Sequence, residues 1–258
     1  MRIRNVFFSP TGGSKKIADS FCARLRKELG FEVVHTDITP VKARGQSFDG
    51  EGILVFSFPV YGGRVPVQIS DFLNSLNGNH GFAVPVAVYG NRDYDDALLE
   101  CADILRSRGY RLAGAGAFVA EHSYSAKVGG GRPDAEDFKK VEAFAHAVSE
   151  NISRGKEMSE CVKGHRPYKP LSEFMLAEKQ PPMPDGACIS CGACARVCPQ
   201  EIISSEDSGK VGSGCIACDA CVKICPVSAR RITDARILAV RGKLESTCTA
   251  RRDAEYFV

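Results

Sequence analysis

What this chain of 258 residues lacks narrows its function. It has no long apolar stretch: runs such as Gly52–Phe58 and Phe82–Tyr89 are strand-length, far short of the about 20 residues that cross a bilayer as a helix. That predicts no membrane insertion. It has little excess charge. Lys plus Arg number 34 against 31 Asp plus Glu, a net charge of +3, and the basic residues are scattered, which argues against nucleic acid or an anionic membrane as partner. No secretory h-region follows Met1-Arg2-Ile3-Arg4. Neither nucleotide-binding fingerprint is present. The spacing of a Walker loop is missing, and Gly114-Ala115-Gly116 has no third glycine and no strand–helix setting. Hydrophobic content of 44% and charged content of 25% are otherwise ordinary for a globular protein of one or two domains.

What the chain has in plenty is cysteine, twelve in all, and eight of them fall into two copies of C-x-x-C-x-x-C-x-x-x-C-P. The first is Cys188, Cys191, Cys194, Cys198 with Pro199; the second is Cys215, Cys218, Cys221, Cys225 with Pro226. Three cysteines three residues apart wrap a tight loop round one cubane, and this run is the ligand pattern of two [4Fe–4S] clusters. Structural zinc prefers two C-x-x-C pairs per metal and fits the pattern badly. The flanks repeat as well, with Ile189 matching Ile216 and Val197 matching Ile224.

Residues 184–235 resemble a bacterial-type two-cluster ferredoxin. In such proteins the cysteine before proline ligates the other cluster. The resemblance therefore implies Cys188, Cys191, Cys194 and Cys225 round one cluster, and Cys215, Cys218, Cys221 and Cys198 round the other. Clusters need thiolates, so the expected compartment is a reducing cytoplasm. Of the other cysteines, Cys22 and Cys101 fall in helical patterns as small core residues, while Cys161 and Cys248 have no adjacent base.

Residues 1–152 alternate strand and helix. Ile3–Phe8, Phe31–Ile38, Gly52–Phe58, Phe82–Tyr89 and Leu112–Ala120 read as strands. Lys15–Leu29, Val67–Leu76, a segment opened by Asp93, and Asp134–Ile152 read as helices, Gly30 closing the first. Thr39–Glu51 is too short and glycine-rich for more than a turn or one helical turn. Continuous apolar strands between helices predict a parallel sheet covered on both faces. Three loops at strand ends then stand out. Ser9-Pro10-Thr11-Gly12-Gly13-Ser14 opens the first helix, where unpaired amides and the helix dipole favour a phosphate. Thr11 and Ser14 add hydroxyls, and Gly12 and Gly13 allow close approach. Pro59-Val60-Tyr61-Gly62 follows the third strand, and Gly90-Asn91-Arg92-Asp93-Tyr94-Asp95 the fourth.

These loops resemble those of flavodoxins. The likeness implies an α/β fold with a flavodoxin-like, doubly wound, five-stranded parallel sheet, followed by the small α+β ferredoxin domain. It implies FMN, with its phosphate on Ser9–Ser14 and its ring between the other two loops. There Tyr61 or Tyr94 would stack and backbone amides near Asn91 and Arg92 would bond the polar edge. Asp93 and Asp96 suit a helix cap equally well. Glu121-His122-Ser123 suggests acid/base chemistry or, more simply, a strand end beside the flavin, and Gly129–Gly131 reads as a mobile lid. Residues 153–183 form a proline-rich, semi-rigid linker with a short helix around Leu171–Glu178, and 236–258 a tail with a strand at Ile237–Val240.

As a whole the chain resembles the flavodoxin–ferredoxin fusion proteins of anaerobic microbes. The resemblance implies electron transfer between two [4Fe–4S] clusters and FMN, with an external donor or acceptor protein and a small-molecule acceptor. A soluble carrier or redox sensor is the alternative. The cluster region is nearly balanced in charge, which permits an acidic partner such as a free ferredoxin. With no second nucleotide unit, NAD(P)H would reduce the flavin directly or not at all.

Overall fold

The computed structural model describes residues 1–45 and 52–258. In chain order its first half runs β1 (Arg2–Phe7), α1 (Gly13–Leu29), β2 (Glu32–Asp37), a 3-10 turn at Val41–Ala43, and β3 (Ile53–Pro59). A second 3-10 turn, Val67–Ile69, leads into α2 (Ser70–Ser75), followed by β4 (Phe82–Tyr89), α3 (Ala97–Ser107), β5 (Arg111–Leu112), β6 (Ala115–Val119) and α4 (Ala135–Ser153). The second half is α5 (Glu173–Leu176), β7 (Met183–Pro184), α6 (Ala193–Arg196), α7 (Ala220–Lys223), β8 (Arg230–Arg231), α8 (Ala235–Thr247) and β9 (Glu255–Phe257).

The parallel strands lie in the order β2-β1-β3-β4-β6, with β5 also on β4. This is the doubly wound order in which ligands bind outside the carboxyl ends of the strands. Two apolar layers hold it together. Phe56, Phe58, Phe72, Leu98 and Leu105 fill one face; Ile17, Phe21, Val55, Val84, Phe144 and Val148 fill the other. Every residue of β4 is buried, as a central strand requires. Helix α1 follows from Ile17, Phe21 and Leu25 at helical spacing, and ends where Gly30 turns left-handed at φ +71° and donates to the Arg26 carbonyl. Helix α4 starts on a capping box between Asp134 and Asp137.

Several expectations change. The fifth strand is broken at Ala113–Gly114, where a side chain on Gly114 would meet Val148 and Phe144 of α4. Asp93 does not open α3. Asp96 precedes that helix but makes no cap, because its buried carboxylate accepts from His165 N (2.8 Å) and Lys169 N (2.6 Å) of the proline-rich segment. Ile237–Val240 is helical, within α8. The sheet also gains an edge strand the sequence pattern did not suggest: β9 pairs antiparallel with β6, Ala115 opposite Phe257. The segment after β2 holds one 3-10 turn; residues 46–51 lie outside the described residues. Among the described residues no helix is long and apolar enough to cross a membrane.

Candidate functional site

The first loop fits an anion. Gly12, at φ +84°, caps α1. Ser9 Oγ accepts from Lys15 N (2.9 Å), while Ser9 N donates to Thr39 Oγ1 (2.8 Å), which fixes the loop. The amides of Gly13 and Ser14, at the start of this 17-residue helix, have no acceptor among the described residues. Free amides at the positive end of a helix dipole are what a phosphate needs.

The second loop leaves β3 at Pro59. Val60 N donates to Val88 O (2.9 Å), and Tyr61 and Arg64 exchange backbone hydrogen bonds. A Cβ on Gly62, at φ +61°, would approach Met175 Cγ to 2.8 Å, so the proline-rich segment lies over this loop. The Tyr61 ring stands edge-on to Phe8, with centroids 6.4 Å apart. Burial, with the charges of Cys218, Tyr124 and Asp219 nearby, pushes the Tyr61 hydroxyl well up. The tyrosine expected to stack on a flavin thus also borders the second cysteine repeat.

The third loop differs from expectation in its side chains. Asn91 is buried and gives three of its four hydrogen bonds to the C-terminal segment. Its Nδ2 donates to the carbonyls of Cys248 and Ala250, and its Oδ1 accepts from Arg252 N and Arg132 Nη1. Tyr94 is not free to stack: its buried ring packs on Tyr89 (5.6 Å) and its hydroxyl donates to Glu255 (2.7 Å). Asp95 pairs with Arg92 and with Lys169. A Cβ on Gly90 would run into the His122 ring, so the close neighbour at this glycine is the chain's own imidazole.

The Glu121-His122-Ser123 trio is largely spoken for. Glu121 meets Lys223 Nζ of α7 at 2.6 Å; burial, which would raise its carboxyl, is outweighed by that contact. His122 Nδ1 accepts from Tyr124 N, and burial pushes its imidazole down to about 4, neutral at physiological pH. The expected lid is tied down: Glu121 N bonds Arg132 O and His122 N bonds Val128 O, both at 3.0 Å, and Arg132 N returns to Gly129 O.

The cysteines ring two cavities. One is lined by Cys188, Cys191, Cys194 and Cys225, the other by Cys198, Cys215, Cys218 and Cys221. All are free thiols. Among the described residues no three Cys, His, Asp or Glu converge tightly enough for a single ion; the four sulfurs of each set instead line one common cavity. The two rings differ electrostatically. In the first, the Ser208 hydroxyl lies 3.3 Å from Cys188 Sγ and holds that thiol down. At Cys225, burial is outweighed by the amides of Arg230, Val227 and Ala229. In the second, burial raises Cys215 and Cys218, and Cys221 to about 12.

The second ring faces the sheet edge. Arg44, beside the Val41–Ala43 turn, donates to Pro199 O (2.8 Å) and Gln200 Oε1 (2.7 Å), and Val41 N donates to Pro199 O. Sequence reasoning missed Asp219 here. It is buried, both carboxylate oxygens lack a hydrogen-bond partner among the described residues, and burial pushes its carboxyl up to about 7. Its charge is felt at Tyr61 and Tyr124, from two loops of the sheet. Such an orphaned acceptor pair suits the N–H or O–H groups of a bound flavin. A signal existed: Gly192 holds this position in the first repeat, and both residues are left-handed, at φ +68° and +58°.

Residues 183–233 match the family of 4Fe-4S dicluster domains. No curated protein matches the chain. Among solved structures, it is similar to a flavodoxin of Streptococcus pneumonia TIGR4 (20% identity, 58% of this chain and 99% of that one, TM-score 0.42) and to flavodoxin 2 of Bacillus cereus (21%, 58% and 99%, 0.43). It is also similar to the rubredoxin oxygen:oxidoreductase of Desulfovibrio gigas (13%, 59% and 36%, 0.46).

Proposed function

We propose that this union of a flavodoxin-like α/β domain with a 4Fe-4S dicluster domain carries electrons between two [4Fe–4S] clusters and FMN, as a ferredoxin-linked flavin oxidoreductase. The clusters exchange single electrons and the flavin converts these to two-electron chemistry. In this reading Cys188, Cys191, Cys194 and Cys225 hold one cluster, and Cys215, Cys218, Cys221 and Cys198 the other. The amides of Ser9–Ser14 hold the FMN phosphate. Pro59–Gly62, Gly90 and the backbone at Asn91–Arg92 flank the ring. An external redox protein and a small-molecule acceptor complete the chain of transfer, in a reducing compartment. The division into residues 1–152, a linker at 153–183, a cluster domain at 184–235 and a tail at 236–258 belongs to the same proposal.

The observation that carries this reading is the meeting of the two halves: Arg44, beside the turn that follows β2, donates to Pro199 O (2.8 Å) and Gln200 Oε1 (2.7 Å), next to Cys198 of the second cysteine ring. Electron transfer needs its centres close, and a cofactor on that edge would have a cluster as neighbour.

A second reading, a carrier without its own substrate, is favoured by Met175, which lies over Gly62 and covers the loop that would border the flavin. Anaerobic purification with iron, sulfide and flavin quantification tests the first claim; about eight irons and one FMN per chain are expected. One or two zincs without flavin would overturn it. Turnover of small acceptors with reduced ferredoxin as donor separates enzyme from carrier, since a carrier would give no rate beyond that of free FMN.

A further inference from the structure

Arg230 is 2% exposed, and no carboxylate pairs with it among the described residues. Among the described residues its guanidinium donates only to backbone carbonyls, of Pro182 (2.5 Å) and Ser208. A buried cation without a counter-ion is costly and seldom kept without an anion to meet. The side chain borders both cysteine-lined cavities. Its charge is felt at Cys188 in the first and at Cys221 in the second.

The internal repeat shows that nothing in the local fold demands this charge. Counting from the cysteine before proline, Cys225 to Arg230 matches Cys198 to Ile203. Ile203 is also buried, and borders the second cavity alone. One repeat thus places an apolar residue where the other places a fixed cation between two rings of four sulfurs.

We propose that Arg230 is the shared counter-ion of both clusters, a positioning residue that raises both reduction potentials together. This rests on the cluster reading above. Each cluster with its four thiolates is an anion and gains one further negative charge when it accepts one electron from an external reductant. A fixed positive charge between the two favours the reduced form of each. A unit charge roughly 10 Å from a redox centre, at an effective dielectric of about 20, changes the reduction equilibrium by about tenfold. For a one-electron couple that is about 59 mV.

The test is an anaerobic potentiometric titration with dithionite, followed by EPR, on the full chain and two variants, with iron counted first. Arg230→Ile, which copies the other repeat, should lower both midpoints by about 59 mV. Arg230→Lys, which keeps the charge but loses the planar fork, should restore most of the wild-type values. A purely structural role would instead make both variants alike. Should Arg230→Ile fail to load iron, Arg230→Gln removes the charge while keeping a donor for the Pro182 or Ser208 carbonyl and carries the same test. Two loaded clusters with unshifted midpoints would overturn the proposal, and so would a shift in one cluster only. A wild-type chain that binds no iron would instead overturn the cluster reading beneath it.

Discussion

Replacing Asn91 with alanine should loosen the C-terminal segment and leave flavin affinity nearly intact. Asn91 is 3% exposed and makes four hydrogen bonds: to Cys248 O and Ala250 O at 2.9 Å each, from Arg252 N at 3.1 Å and from Arg132 Nη1 at 3.3 Å. At about 1 kcal/mol net for each of the three shorter bonds, less for the longest, the loss is about 3 kcal/mol. The residue is also left-handed, at φ +56°, where alanine costs about 1 kcal/mol more than asparagine. Asn91→Gly removes the same bonds without that backbone cost, so the two variants should differ by about 1 kcal/mol. Urea unfolding followed by far-UV circular dichroism reads the global change. Hydrogen exchange at Glu255–Phe257 reads the local one and should speed up by about 100-fold or more, the equivalent of about 3 kcal/mol of opening free energy. The reasoning fails if exchange there is unchanged while FMN affinity drops, because the side chain would then serve the flavin and not the tail.

Three further outcomes are expected. Cys198→Ser and Cys225→Ser should each retain about four of about eight irons, but not the same four. The cluster left by Cys198→Ser is bordered by the exposed Cys191 and should yield to a chelator faster than the one left by Cys225→Ser, which sits on the buried Cys218 and Cys221; the reverse order would refute the crossed ligand sets. His122 titrates at about 4 in the fold against about 6.5 in an unfolded chain. Between those values the unfolded state binds more protons, so stability is fully present above about pH 6.5 and falls toward pH 4, by up to about 3 kcal/mol. His122→Gln should flatten that part of a stability-versus-pH curve. Arg44→Ala removes the donors to Pro199 O and Gln200 and should cost about 1–3 kcal/mol; limited proteolysis at residues 198–203 should then accelerate, and unchanged cleavage would show that the two halves dock by other contacts.

Much of this was legible because its signals are local. Ile17, Phe21 and Leu25 specify α1 by spacing alone, and unbroken apolar runs specify β3 and β4. The two cysteine runs announce themselves by spacing in the same way. What the sequence hid is long-range. Nothing in Glu255–Phe257 says that it will pair with Ala115–Ala117, and without that partner Asn91 and Tyr94 read as free loop residues. Asp96 looked like a cap because cap chemistry and linker-holding chemistry use the same carboxylate. Ile237–Val240 looked like a strand because four apolar residues fit either period, and the deciding contact, Ile237 fully buried within α8, is tertiary.

The pairing of β9 with β6 bears on how the molecule is made. More than half of the chain lies between Ala115 and Phe257, so this contact closes a large loop and is slow to form. Until the cysteine repeats have been synthesised, β6 is an open sheet edge, a surface that pairs readily with the wrong strand. Iron supply then bears on more than redox chemistry. Without metal the cysteine repeats between β6 and β9 stay an open chain, and closing that longer flexible loop over the edge of a nearly finished α/β domain costs more entropy. Expression in iron-starved cells should accordingly deliver aggregates built from the first half, not a soluble protein merely lacking its metal.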